Sequence, residues 1–144
     1  MTCLVYDSSM GLPAGTVKEV VQGSDGLFYI GTTGGLAIVS FDGERFRIRG
    51  IRGDVGSVED MALGASGEIA VLNTLGDVYI FRDRSLAIEI NYDDIKATCV
   101  NYDTGGYLYV GTDSEYVYKY RLGMKDYLLA DVLIARGLNN INDI

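Results

Sequence analysis

The residues best equipped for chemistry stand in three short acidic clusters: Glu59-Asp60, Asp93-Asp94 and Asp113-Ser114-Glu115. Neighbouring carboxylates could work as acid and base or hold a calcium ion, yet none of the three has the ligand spacing and glycine placement of a calcium loop. Solvation of tight turns accounts for them without chemistry. The chain contains no histidine, which excludes Ser-His-Asp and Cys-His catalysis and any histidine-bearing zinc site within it. The two cysteines, Cys3 and Cys99, form no C-x-x-C motif and no disulfide framework; Cys99, within KATCVNY, has the apolar neighbours of a packed thiol. The run GTTGG at 31–35 is no phosphate cradle, because no lysine follows it and no helix opens after it. These residues call for no cofactor and no metal, and they read as non-catalytic. The tyrosines offer a different chemistry. Tyr107 and Tyr109, then Tyr116, Tyr118 and Tyr120, alternate along neighbouring segments and are expected to line one face, either as cross-strand packing or as a surface on which a sugar or peptide stacks.

The elements that must position these residues are short and glycine-punctuated. Nineteen glycines against one proline in 144 residues imply many tight turns, and eleven Tyr with four Phe in short runs favour strands. Twelve Lys and Arg against twenty Asp and Glu give a net charge of −8. Nucleic acid and anionic membrane surfaces are therefore poor partners, since affinity for either comes from neutralising phosphates. No run of 18 apolar residues is present, and MTCLVYDSSM lacks the basic start and apolar stretch of a signal peptide. Any parts that export or tether the intact protein are expected to lie outside this chain.

One phrase recurs. LFYIGT (27–32), EIAVLNT (68–74) and YLYVGT (107–112) align so that Ile30, Val71 and Val110 superpose at a spacing of about 40 residues, the period of propeller blades rather than helical solenoids. Around that anchor the first unit reads TVKEVVQ, a turn at Ser24-Asp25-Gly26, LFYIGT, GLAIVSF, a turn at Asp42-Gly43, and RFRIRG. The second reads SVEDMAL, Ser66-Gly67, EIAVLNT, GDVYIFR and SLAIEIN; the third reads KATCVNY, Gly105-Gly106, YLYVGT and EYVYKYR. Four short antiparallel strands joined by such hairpins make a blade. EIAVL and LFYI are apolar without alternation, as strands covered on both faces should be. In ERFRIRG, Arg45, Arg47 and Arg49 share one side, which suits an outer edge strand. The segment 122–136 fits either a strand or a helical stripe, and the repeat favours a strand.

The expected architecture is all-β, a partial β-propeller with blades at about 16–50, 57–91 and 95–135 and an orphan strand at each end, 3–7 and 139–144. A bare blade face of about 350 Å² forfeits roughly 9 kcal/mol of apolar burial. The chain is therefore expected to meet the remaining blades of a longer parent chain, or other copies of itself.

The stretch GLPAGTVKEVVQGSDGLFYIGTTGGLAIVSFDGERF (11–46) resembles the two-component regulator propeller repeat, whose pattern runs Gly-Leu-Pro, a valine-led strand, a glycine turn, an aromatic before Ile-Gly-Thr, and Gly-Leu. GLNNINDI (137–144) resembles the start of another copy. The second and third units match in parts, with Asn73-Thr74 in place of Gly-Thr and DSEYV in place of GGL. The resemblance implies a sensory β-propeller from a bacterial membrane receptor, extracytoplasmic, feeding a histidine kinase or a cyclic-dinucleotide synthase. It supplies no fixed ligand motif. LYVGTDSEYVYKY also resembles quinoprotein propeller repeats, but those enzymes dock their blades through tryptophan and this chain has none.

Propellers generally meet ligands on the side built by the loops after the second and fourth strands of each blade. Here those positions are Thr33, Asn73, Asp113 and Glu115, with Asp54 and Asp93 from the connections between blades. The expected function is non-catalytic recognition of a small-molecule, carbohydrate or protein ligand by a sensory fragment. A self-associating interaction scaffold is the alternative, and a quinoprotein-like enzyme the third reading.

Overall fold

A computed structural model describes residues 15–122 and the strand at 127–134. The chain is all-β there, with twelve strands in three antiparallel four-stranded sheets and no α-helix among the described residues. Sheet I holds β1 (Val17–Gln22), β2 (Phe28–Thr32), β3 (Gly35–Phe41) and β4 (Phe46–Arg52). Sheet II holds β5 (Val58–Leu63), β6 (Ile69–Asn73), β7 (Val78–Arg82) and β8 (Ser85–Ile90). Sheet III holds β9 (Ala97–Tyr102), β10 (Leu108–Thr112), β11 (Tyr116–Leu122) and β12 (Tyr127–Ile134). Within each sheet the strands lie in chain order. The segment that read as strand or helix is strand over 127–134. The proposed orphan strands at 3–7 and 139–144 lie outside the described residues.

Turn chemistry sets the hairpins. Between the first and second strands of each sheet a glycine takes positive φ: Gly26 at 83°, Gly67 at 91° and Gly106 at 88°. Each such turn closes with the same pair of backbone bonds, for example Gly26 N–H to the Gly23 carbonyl and Gly23 N–H to the Leu27 carbonyl. The β7–β8 turn carried no glycine signal, and it uses Asp83 and Arg84 at φ 50° and 69°, a two-residue reversal of the kind that matches strand twist.

Register makes the three sheets copies. Ile30 lies opposite Val20 and Ala37, Val71 opposite Met61 and Tyr79, and Val110 opposite Val100 and Tyr118. Each first strand is irregular at one place, which sets Lys18, Glu59 and Thr98 out of the ladder. A second irregularity lies in the fourth strands, where Arg49, Ala87 and Ala130 are set out of the ladder opposite the steps that follow Ile38, Ile80 and Lys119. The same register shows that Asn73 stands in the place of Thr32 and Leu72 in that of Gly31. The apparent exchange of Asn-Thr for Gly-Thr is thus Leu72-Asn73 for Gly31-Thr32.

The sheets stack in one sense. Tyr29, Leu36 and Ile38 of sheet I pack on Met61, Ile69, Val71, Tyr79 and Phe81 of sheet II. Ala70, Leu72, Val78 and Ile80 on the other face of sheet II pack on Val100, Leu108, Val110 and Tyr120 of sheet III. Ile69 to Asn73 are buried throughout, as the unbroken apolar run Ile69 to Leu72 requires of a strand covered on both faces. β1 meets β5 and β5 meets β9, whereas β4 and β8 make no comparable approach, so the first strands converge and the outer strands splay.

Glycine pattern and sheet spacing are linked. A Cβ on Gly31 would come within 2.5 Å of Val58 Cγ1 and 2.8 Å of Met61 Sδ. At the next junction the large residue changes sides: Leu72 replaces the glycine, and Ala97 replaces Val58 in the facing strand.

The tyrosine expectation fails in part. Tyr118 and Tyr120 face sheet II, whereas Tyr109 packs with Cys99 and Val117 on the opposite face of sheet III. Tyr109 lies opposite Lys119, one residue out of phase with the Val110–Tyr118 pair, and a one-residue offset changes the face.

Candidate functional site

The ends of the second and fourth strands and the starts of the first and third gather on one rim of the stack. The β2–β3, β6–β7 and β10–β11 turns there are locked by one buried side chain each: Thr32, Asn73 and Thr112, all at most 3 % exposed. Thr32 Oγ1 accepts from Gly34 N–H and donates to the Gly35 carbonyl. Thr112 Oγ1 donates to the Tyr116 carbonyl at 2.6 Å. Asn73 does more: its Oδ1 accepts from Leu75 and Asp77 N–H, and its Nδ2 donates to the Val55 carbonyl in the preceding loop. Asn73 is accordingly a brace between turn and loop.

The residues just after these locks tie each turn to the start of its own sheet. Thr33 N–H donates to the Thr16 carbonyl, and Thr33 Oγ1 accepts from Thr16 N–H at 3.0 Å. Thr74 N–H reaches the Ser57 carbonyl. Asp113 repeats the pattern of Thr33, its N–H donating to the Lys96 carbonyl and its Oδ1 accepting from Lys96 N–H at 3.1 Å. Asp54, in the short 3-10 turn Gly53–Val55, forms a two-point pair with Arg52 at 3.0 and 2.8 Å. That guanidinium holds the Asp54 carboxyl below the ordinary carboxylate range, and it also lies 5.4 Å from the centre of the Phe81 ring. Asp93 is exposed in the β8–β9 connection, and Glu115 is half-buried beside β11.

A surface cleft of about 350 Å³ opens between sheets II and III on this rim, lined by Glu59, Asn73, Thr74, Lys96, Ala97 and Thr98. Of the six positions expected from sequence, Asn73 lines the cleft and Asp113 holds the backbone of its neighbour Lys96. Thr33 and Asp54 belong to the sheet I and II part of the rim, and Asp93 and Glu115 are not in the cleft wall. Lys96 and Thr98 carry no signal in the sequence, and Glu59, which the sequence marks as half of an acidic pair suited to a turn, instead stands in strand β5 and lines the cleft. Glu59 and Thr98, like Lys18 in sheet I, are turned out of the ladder by the strand irregularities, and a polar residue at a strand start carries no distinctive mark. The cleft joins one exposed acid, Glu59, and one exposed base, Lys96, to the hydroxyl groups of Thr74 and Thr98, over the buried brace of Asn73, a lining suited to hydrogen bonding a polar ligand. Among the described residues no three of Cys, Asp and Glu come together as a metal site, and no helix is long and apolar enough to cross a membrane.

Behind the cleft, the first strands are joined by carboxylates. Glu19 Oε2 of β1 accepts from Met61 N–H of β5 at 3.2 Å, and Asp60 Oδ2 of β5 accepts from Val100 N–H of β9 at 3.0 Å. Glu19 and Asp60 lie opposite Gly31 and Leu72, equivalent places in the repeat, and Met61 and Val100 are equivalent as well. Asp60 Oδ1 also accepts from Met61 N–H at 2.9 Å, so one donor serves both carboxyl groups. Burial, and then the hydrogen bond with Asp60, raise the pKa of Glu19. Cys99 holds this position in sheet III, opposite Gly111.

Compared with known proteins, the chain matches no family model and no curated protein.

Proposed function

We propose that the three sheets are successive blades of a β-propeller, and that the molecule recognises a ligand without catalysis, as the sensory part of a bacterial signal-transduction receptor. The observation that carries this reading is the repetition of one junction: the same faces meet, the same strand irregularities recur, and a carboxylate on one first strand binds the N–H of the next. A junction of that kind, with inner strands close and outer strands splayed, generates a ring when continued. The sensory role rests on the resemblance of residues 11–46 to receptor propeller repeats and on the polar cleft at Glu59, Asn73 and Lys96. Its ligand is a small polar molecule or a carbohydrate, held by hydrogen bonds across the rim.

The test is a thermal-shift screen of the full chain against soluble mono- and oligosaccharides, amino acids and short peptides, repeated on the Glu59→Ala and Lys96→Ala variants. A compound that raises the melting temperature of the wild type and loses most of that effect in either variant supports recognition at the rim. A compound that stabilises all three chains equally, or no stabilisation anywhere in the panel, overturns it.

A further inference from the structure

Each of the two described junctions pairs a carboxylate on the earlier sheet with a first-strand N–H on the later one. Met61 and Val100 supply the N–H at the two junctions described. Val20 holds the same place in β1, opposite Ile30 as Met61 is opposite Val71 and Val100 opposite Val110. Among the described residues no carboxylate reaches the Val20 N–H, and Val20 is 53 % exposed where Met61 is 4 % and Val100 5 %. The face of sheet I beside it carries Phe28, Ile30, Ala37, Val39, Phe46 and Ile48. Phe28 and Ile30 are the counterparts of Ile69 and Val71, which seat sheet II on sheet I, and of Leu108 and Val110, which seat sheet III on sheet II.

We infer that this face of sheet I is an interaction surface for another four-stranded sheet whose first strand carries Asp or Glu at the position of Glu19 and Asp60, and that this carboxylate binds the Val20 N–H. The inference rests on reading the sheets as propeller blades. It also selects among occupants. A second copy of this chain docking head to tail would offer the outer face of sheet III, where Cys99 stands in place of the carboxylate. That face also has Lys119, in the position of Ile38 and Ile80, 4.3 Å from the centre of the Tyr107 ring. A thiol cannot supply the charged acceptor, and an ammonium group replaces an aliphatic contact. The partner is therefore a different unit of the same repeat, one bearing the acid.

The experiment joins a copy of residues 57–91, which includes Asp60, ahead of Met1 in the full chain, and compares it with the same fusion carrying Asp60→Ala in the added copy. Amide exchange at Val20 and the methyl resonances of Ile30 and Ile48 are read in both, and in the full chain alone. The expected result is displaced Ile30 and Ile48 methyl signals in the Asp fusion, with Val20 exchange slowed at least about tenfold relative to the Ala fusion, the scale of a hydrogen bond to a charged group. Displaced methyl signals with equal Val20 exchange in the two fusions would overturn the carboxylate rule while leaving the propeller reading intact. Undisturbed methyl signals in both would overturn the docking surface and count against the propeller itself. Val20 protection that grows with concentration in the unfused chain would place a second copy on this face and overturn the choice of partner.

Discussion

Glu19 and Asp60 place two carboxyl groups around one Met61 N–H, and two ionised carboxylates there repel each other. The raised pKa of Glu19 means that the folded state holds its proton to higher pH than the unfolded chain does. Between the unfolded and folded values the native state binds more protons, so this group's contribution to stability is fully present at low pH and declines as pH rises through the folded value. Glu19→Gln keeps an oxygen for Met61 N–H, offers an amide N–H to Asp60 and removes the repulsion. Urea midpoints measured from about pH 4 to pH 8 are expected to fall less steeply with pH in Glu19→Gln than in the wild type, and to be higher in the variant at the alkaline end. Parallel pH profiles would show that the pair is not coupled. Asp60→Ala differs in kind, since it removes the acceptor for Val100 N–H, and it should cost about 1–3 kcal/mol. Urea denaturation reads this, with Val100 amide exchange accelerating at the same time if the bond is responsible.

At the scale of the element, the exchange of bulk between junctions makes a sharper prediction. Gly31 faces Val58, and Leu72 faces Ala97, so each junction balances volume in its own way. Gly31→Ala puts a methyl group inside the contact distance of Val58 and should destabilise by about 1–3 kcal/mol through overpacking. Val58→Ala alone leaves a cavity. The double variant imitates the small-residue side of the second junction, so its loss should be smaller than the sum of the two single losses. A strictly additive double-mutant cycle would refute the packing account. The same contrast explains what sequence could and could not reveal about the strands. The positive-φ glycines at 26, 67 and 106 and the unbroken apolar run of β6 mark turns and doubly covered strands directly. The residues set out of the ladder at 18, 59 and 98 leave no such trace, because one extra polar residue at a strand start does not disturb the hydrophobic pattern. Cleft residue Thr98 is invisible with them, Glu59 is legible only as half of an acidic pair, and Asn73 only as a loop position, not as the brace its three hydrogen bonds make it. Alternation within each strand puts the tyrosines on one face, but the face depends on register between strands, and that is fixed by turn length.

For the molecule as a whole, each sheet touches only its neighbours in the stack, so stability is distributed as in a one-dimensional array. Sheet II alone is covered by a described sheet on both faces. Every residue of β6 and four of the five in β7 are buried, whereas β1 carries no buried residue and β4 none either. Opening sheet I or III separates one junction, while opening sheet II must break two. Native-state hydrogen exchange should therefore show the slowest amides in β6 and β7 and faster opening in sheets I and III. Leu72→Ala, which empties the sheet II face packed on sheet III, should cost about 2–5 kcal/mol and accelerate exchange in β9 and β10 more than in β2 and β3. Equal acceleration in all three sheets would mean that they unfold as one unit, and protection centred on β2 or β10 would mean that the load is carried elsewhere than in the sheet between the two junctions.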